Sequence, residues 1–252
     1  MKKILVLGAG RSATTLISYL ISNSEENNWF ITVGDFSVEL AEEAVGNAEK
    51  AKAIFFNVKD ENQRREEIRN SDIVISMLPA RMHFLVAEDC VNLKKNLVTA
   101  SYVSDEVKQL NEKAKQSGVL LLNEIGLDPG IDHMSAMKLI DEIKEKGGEL
   151  TSFKSFCGGL VHPDYDNNPW NYKFTWNPRN VVLAGQGNAQ YIKKGKYKYI
   201  PYTKLFERTE CVNILDIGEF EGYANRDSLS YRAFYGLDNI PTIFRGTLRK
   251  KG

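Results

Sequence analysis

The sequence predicts an α/β protein, with a doubly wound parallel sheet in its first half and a second, mixed α+β region after it. Three observations favour this fold class. Short apolar runs alternate with longer amphipathic segments up to about residue 124, a glycine-rich turn follows the first run, and the later chain contains more strand-like segments. Alternation of this kind is typical of right-handed β-α-β crossovers, which build a parallel sheet covered by helices on both faces.

The first half contains six short runs rich in β-branched residues or leucine, which we predict to be strands. They are residues 3–7, 30–33, 53–57, 73–77, 97–100 and 119–122. Five amphipathic segments lie between them and predict helices. They are residues 12–23, 38–45, 61–69, 83–91 and 105–116.

The second half begins with a predicted helix over residues 132–146, capped by Asp132 and stopped by Gly147 and Gly148. Its predicted apolar face consists of Ile131, Met134, Met137, Ile140 and Ile143. Strands are expected over residues 151–157, 181–184, 212–222 and 243–248, and a hairpin over 189–200 that turns at Gly195.

Four aromatic residues alternate at period two in a Pro- and Asn-rich loop region, which favours one face of a strand and packing in the core. They are Trp170, Tyr172, Phe174 and Trp176. A wall of a binding pocket is the alternative interpretation. No closing helix follows the last predicted strand, so the sequence alone leads us to expect a chain truncated at its C-terminal end.

The composition excludes several classes of protein. The 252 residues carry 33 Lys+Arg and 33 Asp+Glu, so the positive field of a dedicated nucleic-acid-binding protein is missing. No apolar stretch approaches the ~20 residues that span a bilayer, and the first run is too short for a signal peptide. Three widely spaced cysteines exclude a disulfide scaffold and a Cys-x-x-Cys zinc site. We expect a cytoplasmic protein without a metal, nucleic-acid or membrane partner.

The clearest motif is Gly8-Ala9-Gly10-Arg11-Ser12-Ala13, a GxGxxA pattern between the first predicted strand and the first predicted helix. Gly8 permits a tight turn, Gly10 lets the backbone approach a pyrophosphate, and Ala13 lets the helix pack on the strand. The helix N-terminus adds N–H groups and the positive end of its dipole. The pattern predicts a Rossmann-like dinucleotide-binding domain over residues 1–125, with residues 126–252 as a substrate-binding and dimerisation region. The alternative is a tight turn that binds nothing.

Asp35 follows the second predicted strand, 22 positions after Ala13. A carboxylate at this point can accept the hydroxyls of the adenosine ribose, and it would repel a 2′-phosphate. We therefore predict a preference for NAD over NADP. The alternative is that Asp35 only caps the following helix.

The segment 123–133 carries two glycines, a proline and three carboxylates after the sixth predicted strand. Asp128-Pro129-Gly130 suits a type II turn, which Asp128 would only cap in the structural interpretation. In the functional interpretation Asp128 lies at the carboxyl edge of the sheet, where it can bind an amine or transfer a proton.

Other reactive side chains give weaker signals. Cys157 ends a predicted strand beside two glycines, and it is a small buried hydrophobe or a residue near a ligand. The three histidines are far apart, and we interpret each as structural or solvated. Arg226, and the segment 245–249 with its two arginines, can grip a carboxylate or simply be solvated. Four lysines, at 193, 194, 196 and 198, predict the solvated face of the hairpin.

Eight segments in order give the chain a resemblance to saccharopine dehydrogenases of the glutamate-forming type. They are GAGRSA at 8–13, SMLPARMH at 76–83, ASYVS at 100–104, GLDPGIDHM at 126–134, SFCGGL at 155–160, NPWNYKFTWNPRNV at 168–181, NRDSLSYRAFYGL at 225–237 and RGTLR at 245–249. The resemblance implies a homodimeric oxidoreductase of lysine metabolism. Its reaction is the reversible, NAD- or NADP-dependent oxidation of saccharopine to L-glutamate and 2-aminoadipate 6-semialdehyde.

The resemblance also implies roles for individual residues. Asp128, Tyr102 and Cys157 lie nearest the chemistry, and Ser101, Tyr102, Asp128, Arg226 and Thr247 contact the substrate. The cofactor contacts fall on Gly8, Ala9, Gly10, Arg11, Ser12, Asp35, Phe36, Asn57, Val58, Leu78, Ala100, Ser101, Leu127, Asp128, Pro129 and Asn177.

Two departures from the family pattern matter. Fungal members that use NADP carry a basic residue where this chain has Asp35, which favours NAD here. Family chains continue well beyond RGTLR, so we expect weak or no turnover from these 252 residues. Two rival interpretations stay open: a related reductase resembling carboxynorspermidine synthase, and a non-catalytic NAD-binding module. Arg226 and Arg245 favour a polyanionic substrate over the polyamine of the first rival.

Overall fold

The computed structural model describes residues 1–251 and divides the chain into two compact units, Met1–Ile131 and Asp132–Gly252. Gly252, the last residue of the predicted second region, lies outside the described residues. The predicted boundary after residue 125 falls six positions before this division. Each unit contains its own six-stranded sheet.

The first unit is built on a parallel sheet with the strand order β3-β2-β1-β4-β5-β6. Its strands are β1 Lys2–Leu7, β2 Trp29–Asp35, β3 Ala51–Phe55, β4 Ile73–Ser76, β5 Asn96–Thr99 and β6 Leu121–Leu122. All five neighbouring pairs are parallel. This order, which reverses between β1 and β4, is that of the doubly wound dinucleotide-binding fold, so the predicted fold class is confirmed.

Helices cover both faces of this sheet. They are α1 Thr14–Ser22, α2 Val38–Val45, α3 Glu61–Arg69, α4 His83–Leu93, α5 Asp105–Gln109 and α6 Asn111–Ser117. Alternate residues of β1 enter different cores, since Ile4 and Val6 pack with α1 and α2, whereas Leu5 and Leu7 pack with α3 and α4. The one predicted helix over 105–116 is interrupted at Leu110, which separates α5 from α6.

The second unit contains a mixed sheet. Its elements are α7 Ile131–Glu145, β7 Phe153–Cys157, α8 Pro178–Ala184, β8 Ala189–Lys193, β9 Lys196–Ile200, β10 Glu210–Ile214, β11 Gly218–Ala224, α9 Tyr231–Phe234 and β12 Ile243–Arg249. The strand order is β10-β11-β12-β8-β9, and β7 pairs in parallel with β12. Ile243 of β12 packs with α7 on one side, and Phe244 packs with Ala189 and Ile200 on the other.

The sequence-based assignment of strands in the second unit was partly wrong. Residues 181–184 lie in helix α8, which begins with Pro178, a residue favoured in the first turn of a helix. A four-residue apolar run cannot distinguish strand from helix by its pattern alone. Residues 212–222 form two strands of a hairpin rather than one strand, because Asp216 has a φ of 63° in the turn between them.

The aromatic segment was also predicted wrongly. Residues 166–177 form no strand, and the side chains of Trp170, Phe174 and Trp176 are exposed rather than packed in the core. Alternation at period two needs a neighbouring strand to form a ladder, and none pairs with this segment in residues 1–251. Asn171 has a φ of 50°, which interrupts extended structure.

Helix α7 was predicted at the correct position but with the wrong buried face. Ala136 and Ile140 are buried and Met137 packs beside them, whereas Ile131, Met134 and Ile143 are exposed. The face that meets the sheet is therefore rotated from the predicted one. Asp132 is not the cap, because it lies inside the first turn and its carboxylate accepts a hydrogen bond from Arg245. Gly147 has a φ of 74° just after the helix end, as predicted for the stop.

The predicted hairpin over 189–200 is confirmed as β8 and β9, with Lys194 and Gly195 in the turn, and its four lysines are solvent-exposed. Among residues 1–251, none of the helices is both long and apolar enough to cross a membrane. The same part of the chain gathers no group of three or more His, Cys, Asp or Glu side chains that could hold a metal ion.

Candidate dinucleotide and substrate site

The turn after β1 has the geometry that the GxGxxA pattern predicts. Gly8 has a φ of 102°, and a Cβ there would lie 2.9 Å from the carbonyl oxygen of Met77, so the loop after β4 approaches too closely for a side chain. A Cβ at Gly10 would have nothing within 4 Å, so this position is open. Ala13 is buried against the sheet, and Arg11 and Ser12 are exposed before α1. The open face at Gly10 is where a pyrophosphate can approach the backbone.

Asp35, the last residue of β2, is held by two backbone amides. Its Oδ2 accepts a hydrogen bond from the amide of Ala9 at 2.7 Å, and its Oδ1 accepts one from the amide of Ser37 at 2.9 Å. The cap of α2 is Ser37, whose Oγ accepts from the amide of Leu40, so the alternative that Asp35 caps this helix is wrong. An ionised carboxylate has about four acceptor positions, so each oxygen keeps one for a further donor such as a ribose hydroxyl.

Two exposed aromatic rings lie beside Asp35. Phe36 is 71% exposed and Phe55, at the end of β3, is 48% exposed, and their ring centroids are 5.5 Å apart. Large exposed apolar side chains next to a ligand-binding edge are typical of contact surfaces. Phe36 was among the predicted cofactor residues, whereas Phe55 was missed because an apolar residue at the end of a strand looks like core.

The loop after β3 contains the predicted pair Asn57 and Val58, and side chains of α3 fix it. Gln63 accepts from the amide of Asn57 at 2.9 Å and donates to the carbonyl of Phe55 at 2.8 Å. Buried Arg64 donates to the carbonyl of Val58 at 2.6 Å and to Asp89 at 2.6 Å. The loop is therefore positioned from beneath by two residues that the sequence analysis did not select.

The ends of β4 and β5 carry Leu78, Ala100 and Ser101, and a buried histidine connects them. Nδ1 of His83 lies 2.8 Å from the hydroxyl of Ser76, and its Nε2 lies 2.8 Å from the hydroxyl of Ser101. Burial lowers the pKa of His83 from its ordinary value of 6.5 to about 4, so the imidazole is neutral at pH 7. The sequence analysis interpreted His83 as structural or solvated. Although it ends the segment SMLPARMH, nothing in that segment indicates that its ring bridges two hydroxyls.

Tyr102 and Asp128 meet at the same edge of the sheet. The hydroxyl of Tyr102 donates to Oδ1 of Asp128 at 2.9 Å, although 26 positions separate the two residues. Glu124 supports the arrangement, because its carboxylate accepts from the amide of Val103 at 3.0 Å and its own amide donates to the carbonyl of Ser101. The loops after β5 and β6 are thus joined by side-chain and backbone hydrogen bonds.

The loop from Gly126 to Gly130 is folded tightly on itself. The Asp128–Pro129 peptide bond is cis. The predicted type II turn is wrong, because it needs a φ of about 80° at Gly130. Gly130 has a φ of 148°, and a Cβ there would overlap the carbonyl oxygen of Gly126. Leu127 is 65% exposed, whereas Pro129 is buried. The sharp fold leaves Leu127 on the surface beside Asp128.

In the second unit, the sheet places two predicted residues side by side. Cys157 is the last residue of β7, and its register partner in the parallel ladder is Thr247 of β12. Both side chains are half-buried. Register partners in a ladder project from the same face, so these two share one surface of the mixed sheet.

Two further candidates of the second unit lie on loops. Arg226 follows β11, has a φ of 45°, and is exposed, and no ion pair joins it to a carboxylate among residues 1–251. Asn177 precedes α8, is exposed, and accepts through its carbonyl from the amide of Val181. A solvated guanidinium such as that of Arg226 can donate two parallel hydrogen bonds to one carboxylate.

Arg245 does not behave as the sequence predicted. It is 6% exposed within β12, its Nη2 lies 2.8 Å from Oδ2 of Asp132, and its guanidinium stacks 4.1 Å from the ring centroid of Tyr231. Arg245, which was expected to grip a substrate carboxylate or to be solvated, is therefore a buried structural residue. It no longer supports a polyanionic substrate, and that argument now rests on Arg226 alone.

The first unit therefore has the Rossmann architecture, the class of fold that dinucleotide-binding oxidoreductases share. Two family models match the chain: the saccharopine dehydrogenase NADP binding domain over residues 4–122, and the saccharopine dehydrogenase C-terminal domain over residues 126–252. The chain belongs to the saccharopine dehydrogenase family, which confirms the resemblance drawn from its motifs.

Individual relatives agree with this assignment. The chain is 38% identical over its whole length to saccharopine dehydrogenase (NADP(+), L-glutamate-forming) of Schizosaccharomyces pombe and covers 55% of that protein. It is 39% identical, over 99% of its length, to an alpha-aminoadipic semialdehyde synthase of Arabidopsis thaliana, of which it covers 25%. The apo structure of saccharopine dehydrogenase (L-Glu forming) from Saccharomyces cerevisiae matches with a TM-score of 0.91 at 36% identity, over 100% of this chain and 56% of that chain. The chain thus spans about half the length, or less, of these relatives.

A more distant likeness concerns the fold alone. The homospermidine synthase of Legionella pneumophila in complex with NAD matches with a TM-score of 0.62 over 99% of this chain, but with 11% identity. This homospermidine synthase and the saccharopine dehydrogenase of Saccharomyces cerevisiae therefore share this architecture, and the fold does not discriminate between them.

Proposed function

We propose that the chain catalyses the reversible NAD(P)-dependent oxidation of saccharopine to L-glutamate and 2-aminoadipate 6-semialdehyde. Residues 1–125 would bind the dinucleotide and residues 126–252 the substrate. The observation that carries the proposal is the hydrogen-bonded pair of Tyr102 and Asp128 at the carboxyl edge of the parallel sheet. Ligands of doubly wound folds bind outside this edge, where the strand order reverses. Membership of the saccharopine dehydrogenase family supports the class of reaction.

The first unit fits a dinucleotide. The open position at Gly10 and the exposed turn at Arg11 and Ser12 would receive the pyrophosphate, and the acceptor positions left on Asp35 would receive the ribose hydroxyls. Phe36, with Phe55 behind it, would cover one face of the adenine. When bound, the nicotinamide ring supplies the chemistry of hydride acceptance.

Asp35 supports NAD as the preferred cofactor, because a fixed negative charge at this point repels a 2′-phosphate. Glu39 lies nearby and adds a second carboxylate, since it accepts a hydrogen bond from Ser37 at 2.6 Å. The relatives named above carry NADP in their names, so both cofactors must be measured. NADP used as well as NAD would contradict the preference.

The reaction requires two proton transfers that residues of the chain can perform. The secondary amine of saccharopine loses a proton as hydride leaves the neighbouring carbon, and a water molecule must then be activated to add to the resulting imine. The carboxylate of Asp128, which accepts a hydrogen bond from Tyr102 at 2.9 Å, would accept the proton released by the amine and then by the water. Protonated Asp128 would return a proton to the nitrogen when the C–N bond breaks and L-glutamate leaves. Tyr102 is 41% exposed, so the pair is accessible from solvent.

The substrate carries three carboxylates and needs cationic or hydrogen-bonding partners. In the second unit, solvated Arg226 offers a bidentate donor, and Thr247 offers a hydroxyl next to Cys157 in the sheet. A homodimer and a cytoplasmic location remain predictions from the sequence.

The test combines binding and turnover. Titration of the chain with each reduced dinucleotide, followed by nicotinamide fluorescence, measures cofactor binding directly. Absorbance at the reduced-nicotinamide band, with saccharopine and NAD or NADP, measures the reaction. We expect the Asp128→Asn variant to bind dinucleotide within about threefold of the unchanged chain and to lose at least ~100-fold in kcat, since that is the smallest typical contribution of an acid–base group. Tyr102→Phe provides the matched change at the other end of the hydrogen bond.

The outcomes separate the alternatives. Turnover of carboxynorspermidine rather than saccharopine would favour the related reductase. Dinucleotide binding without turnover of either substrate, both by these 252 residues and by a full-length protein that contains them, would favour the non-catalytic module. No binding of either dinucleotide would contradict the proposal as a whole.

A further inference from the structure

His83 is the first residue of α4 and lies between the ends of two neighbouring parallel strands. Ser76 ends β4 and is fully buried, Thr99 ends β5 and is 1% exposed, and the ring of His83 is within 3.4 Å of both hydroxyls. A buried polar group is stable only when it is hydrogen-bonded, and here both ring nitrogens have hydroxyl partners. The cluster therefore ties the loop after β4 to the loop after β5.

Ser101 is the member of this cluster that reaches the surface. Its side chain is half-buried, whereas Ser76, His83 and Thr99 are buried. The hydroxyl of Ser101 lies 2.8 Å from Nε2 of His83, and its amide donates to the hydroxyl of Thr99 at 3.3 Å. Both the backbone and the side chain of Ser101 are thus fixed from below, at the edge of the sheet where a ligand of this fold would lie.

A neutral imidazole can control the direction of the Ser101 hydroxyl. One ring nitrogen donates and the other accepts, so the bond at Nε2 either receives the proton of Ser101 or supplies one to its oxygen. In either case His83 uses the proton or one lone pair of the Ser101 hydroxyl. The hydrogen-bonding positions that are left on this hydroxyl point away from the histidine. A hydroxyl fixed in this way loses less rotational entropy on binding than a free one.

We propose that His83 is a positioning residue that holds the Ser101 hydroxyl for contact with the bound dinucleotide. The inference rests on the proposed function, since it assumes that the edge beside β4 and β5 binds the dinucleotide. His83 itself is buried and touches no ligand in this arrangement; it acts only through Ser101.

Two variants of His83 separate positioning from packing. The amide of glutamine reaches the position of Nε2, whereas the amide of asparagine reaches only that of Nδ1. His83→Gln should therefore keep a hydrogen bond to Ser101, and His83→Asn should keep only the one to Ser76. We expect His83→Asn to weaken dinucleotide binding about 5- to 10-fold, in line with the loss of one hydrogen bond, and His83→Gln to recover most of that affinity.

Ser101→Ala completes the test as a double-mutant cycle. It should weaken binding as much as His83→Asn, and the double variant should be no weaker than either single one, because both remove the same contact. Equal losses in His83→Asn and His83→Gln, or additive losses in the double variant, would overturn the proposal. Failure of the unchanged chain to bind either dinucleotide would instead overturn the proposed function, so the two failures are distinguishable.

A spectroscopic measurement covers the case in which His83→Asn fails to fold. The chain has only three histidines, so the imidazole nitrogen signals can be assigned by single substitutions at His133 and His162. We expect the Nε2 signal of His83 to shift in the Ser101→Ala variant and its Nδ1 signal to shift in Ser76→Ala. If neither nitrogen signal of His83 shifts in these variants, its hydrogen bonds to Ser76 and Ser101 are contradicted.

Discussion

The candidate residues of the two units differ in how firmly the protein holds them. In the first unit, Asp35, Tyr102 and Asp128 are each fixed by hydrogen bonds to other parts of the same sheet edge. In the second unit, Cys157 and Thr247 lie in paired strands, whereas Arg226 is exposed on a loop. A dinucleotide would therefore meet a largely preorganised surface, whereas the arginine that we assign to substrate must lose side-chain freedom when the substrate binds.

The second unit also shows this contrast within itself. Arg226 and Arg245 are separated by helix α9 and the loops on either side of it, and both looked equally available in the sequence. Arg245 is 7% exposed at its side chain and paired with Asp132, while Arg226 is solvated. Residue type alone does not indicate function, because the same guanidinium serves as a core ion pair in one place and as a free donor in the other.

Exchanging each arginine for methionine measures that contrast. Arg245→Met removes one partner of a buried ion pair and leaves the charge of Asp132 without this compensation, so we expect a loss of about 4 kcal/mol in the free energy of unfolding. Arg226→Met should change stability by no more than about 0.5 kcal/mol, as is usual for exposed sites, and should raise the KM for saccharopine. Urea unfolding followed by circular dichroism gives both stabilities. Similar losses for the two variants would remove the distinction between a structural and a ligand-binding arginine.

Two glycines of the first unit provide the corresponding test on the cofactor side. Gly8→Ala would place a Cβ 2.9 Å from the carbonyl oxygen of Met77 at a φ of 102°, and we expect it to cost about 3 kcal/mol in stability. Gly10→Ala meets nothing within 4 Å, so its melting temperature should stay close to that of the unchanged chain.

Gly10→Ala, which should leave stability unchanged, is expected to impair dinucleotide binding. A methyl group at Gly10 occupies the space through which a pyrophosphate approaches the backbone, so dinucleotide binding should weaken although the fold is intact. Differential scanning calorimetry and a fluorescence titration on the same samples provide the two readouts. Unchanged dinucleotide affinity in Gly10→Ala would show that the turn after β1 is not the pyrophosphate site.

The sequence predicted the first unit well because its signals are local. Ile4 and Val6 face one core and Leu5 and Leu7 the other, so β1 is apolar throughout, as a strand buried on both faces must be. The proximity of Tyr102 and Asp128 could also be expected from the sequence, since each follows a predicted strand and the carboxyl ends of parallel strands lie at one edge of the sheet. The GxGxxA turn is similarly local.

The second unit was harder to predict because its determinants are distant in sequence. Asp132 resembled a helix cap until its partner was known to be Arg245, 113 positions away. Residues 181–184 have an apolar pattern that fits strand or helix, and the proline three positions earlier decides between them. His83 illustrates the same limit in the first unit, because its role depends on two hydroxyls that the fold brings to it.

The pH dependence of stability tests whether the imidazole of His83, at the ends of β4 and β5, is shielded from water. The pKa of His83 falls from 6.5 to about 4 on burial, so the unfolded chain binds the proton first as the pH is lowered. Stability from this residue is therefore present above about pH 6.5 and is lost as the pH falls towards 4. Between pH 8 and pH 5 we expect His83 to account for a loss of about 2 kcal/mol.

Urea unfolding at pH 8 and pH 5 isolates this contribution. His83→Gln cannot titrate, so its stability should fall less over this range than that of the unchanged chain, by the same amount of about 2 kcal/mol. His162→Gln serves as the control for a histidine-to-glutamine exchange at an exposed position of the second unit. A profile that is the same with and without His83 would mean that water reaches the imidazole, and the edge beside β4 and β5 would then be no more rigid than the loops of the second unit.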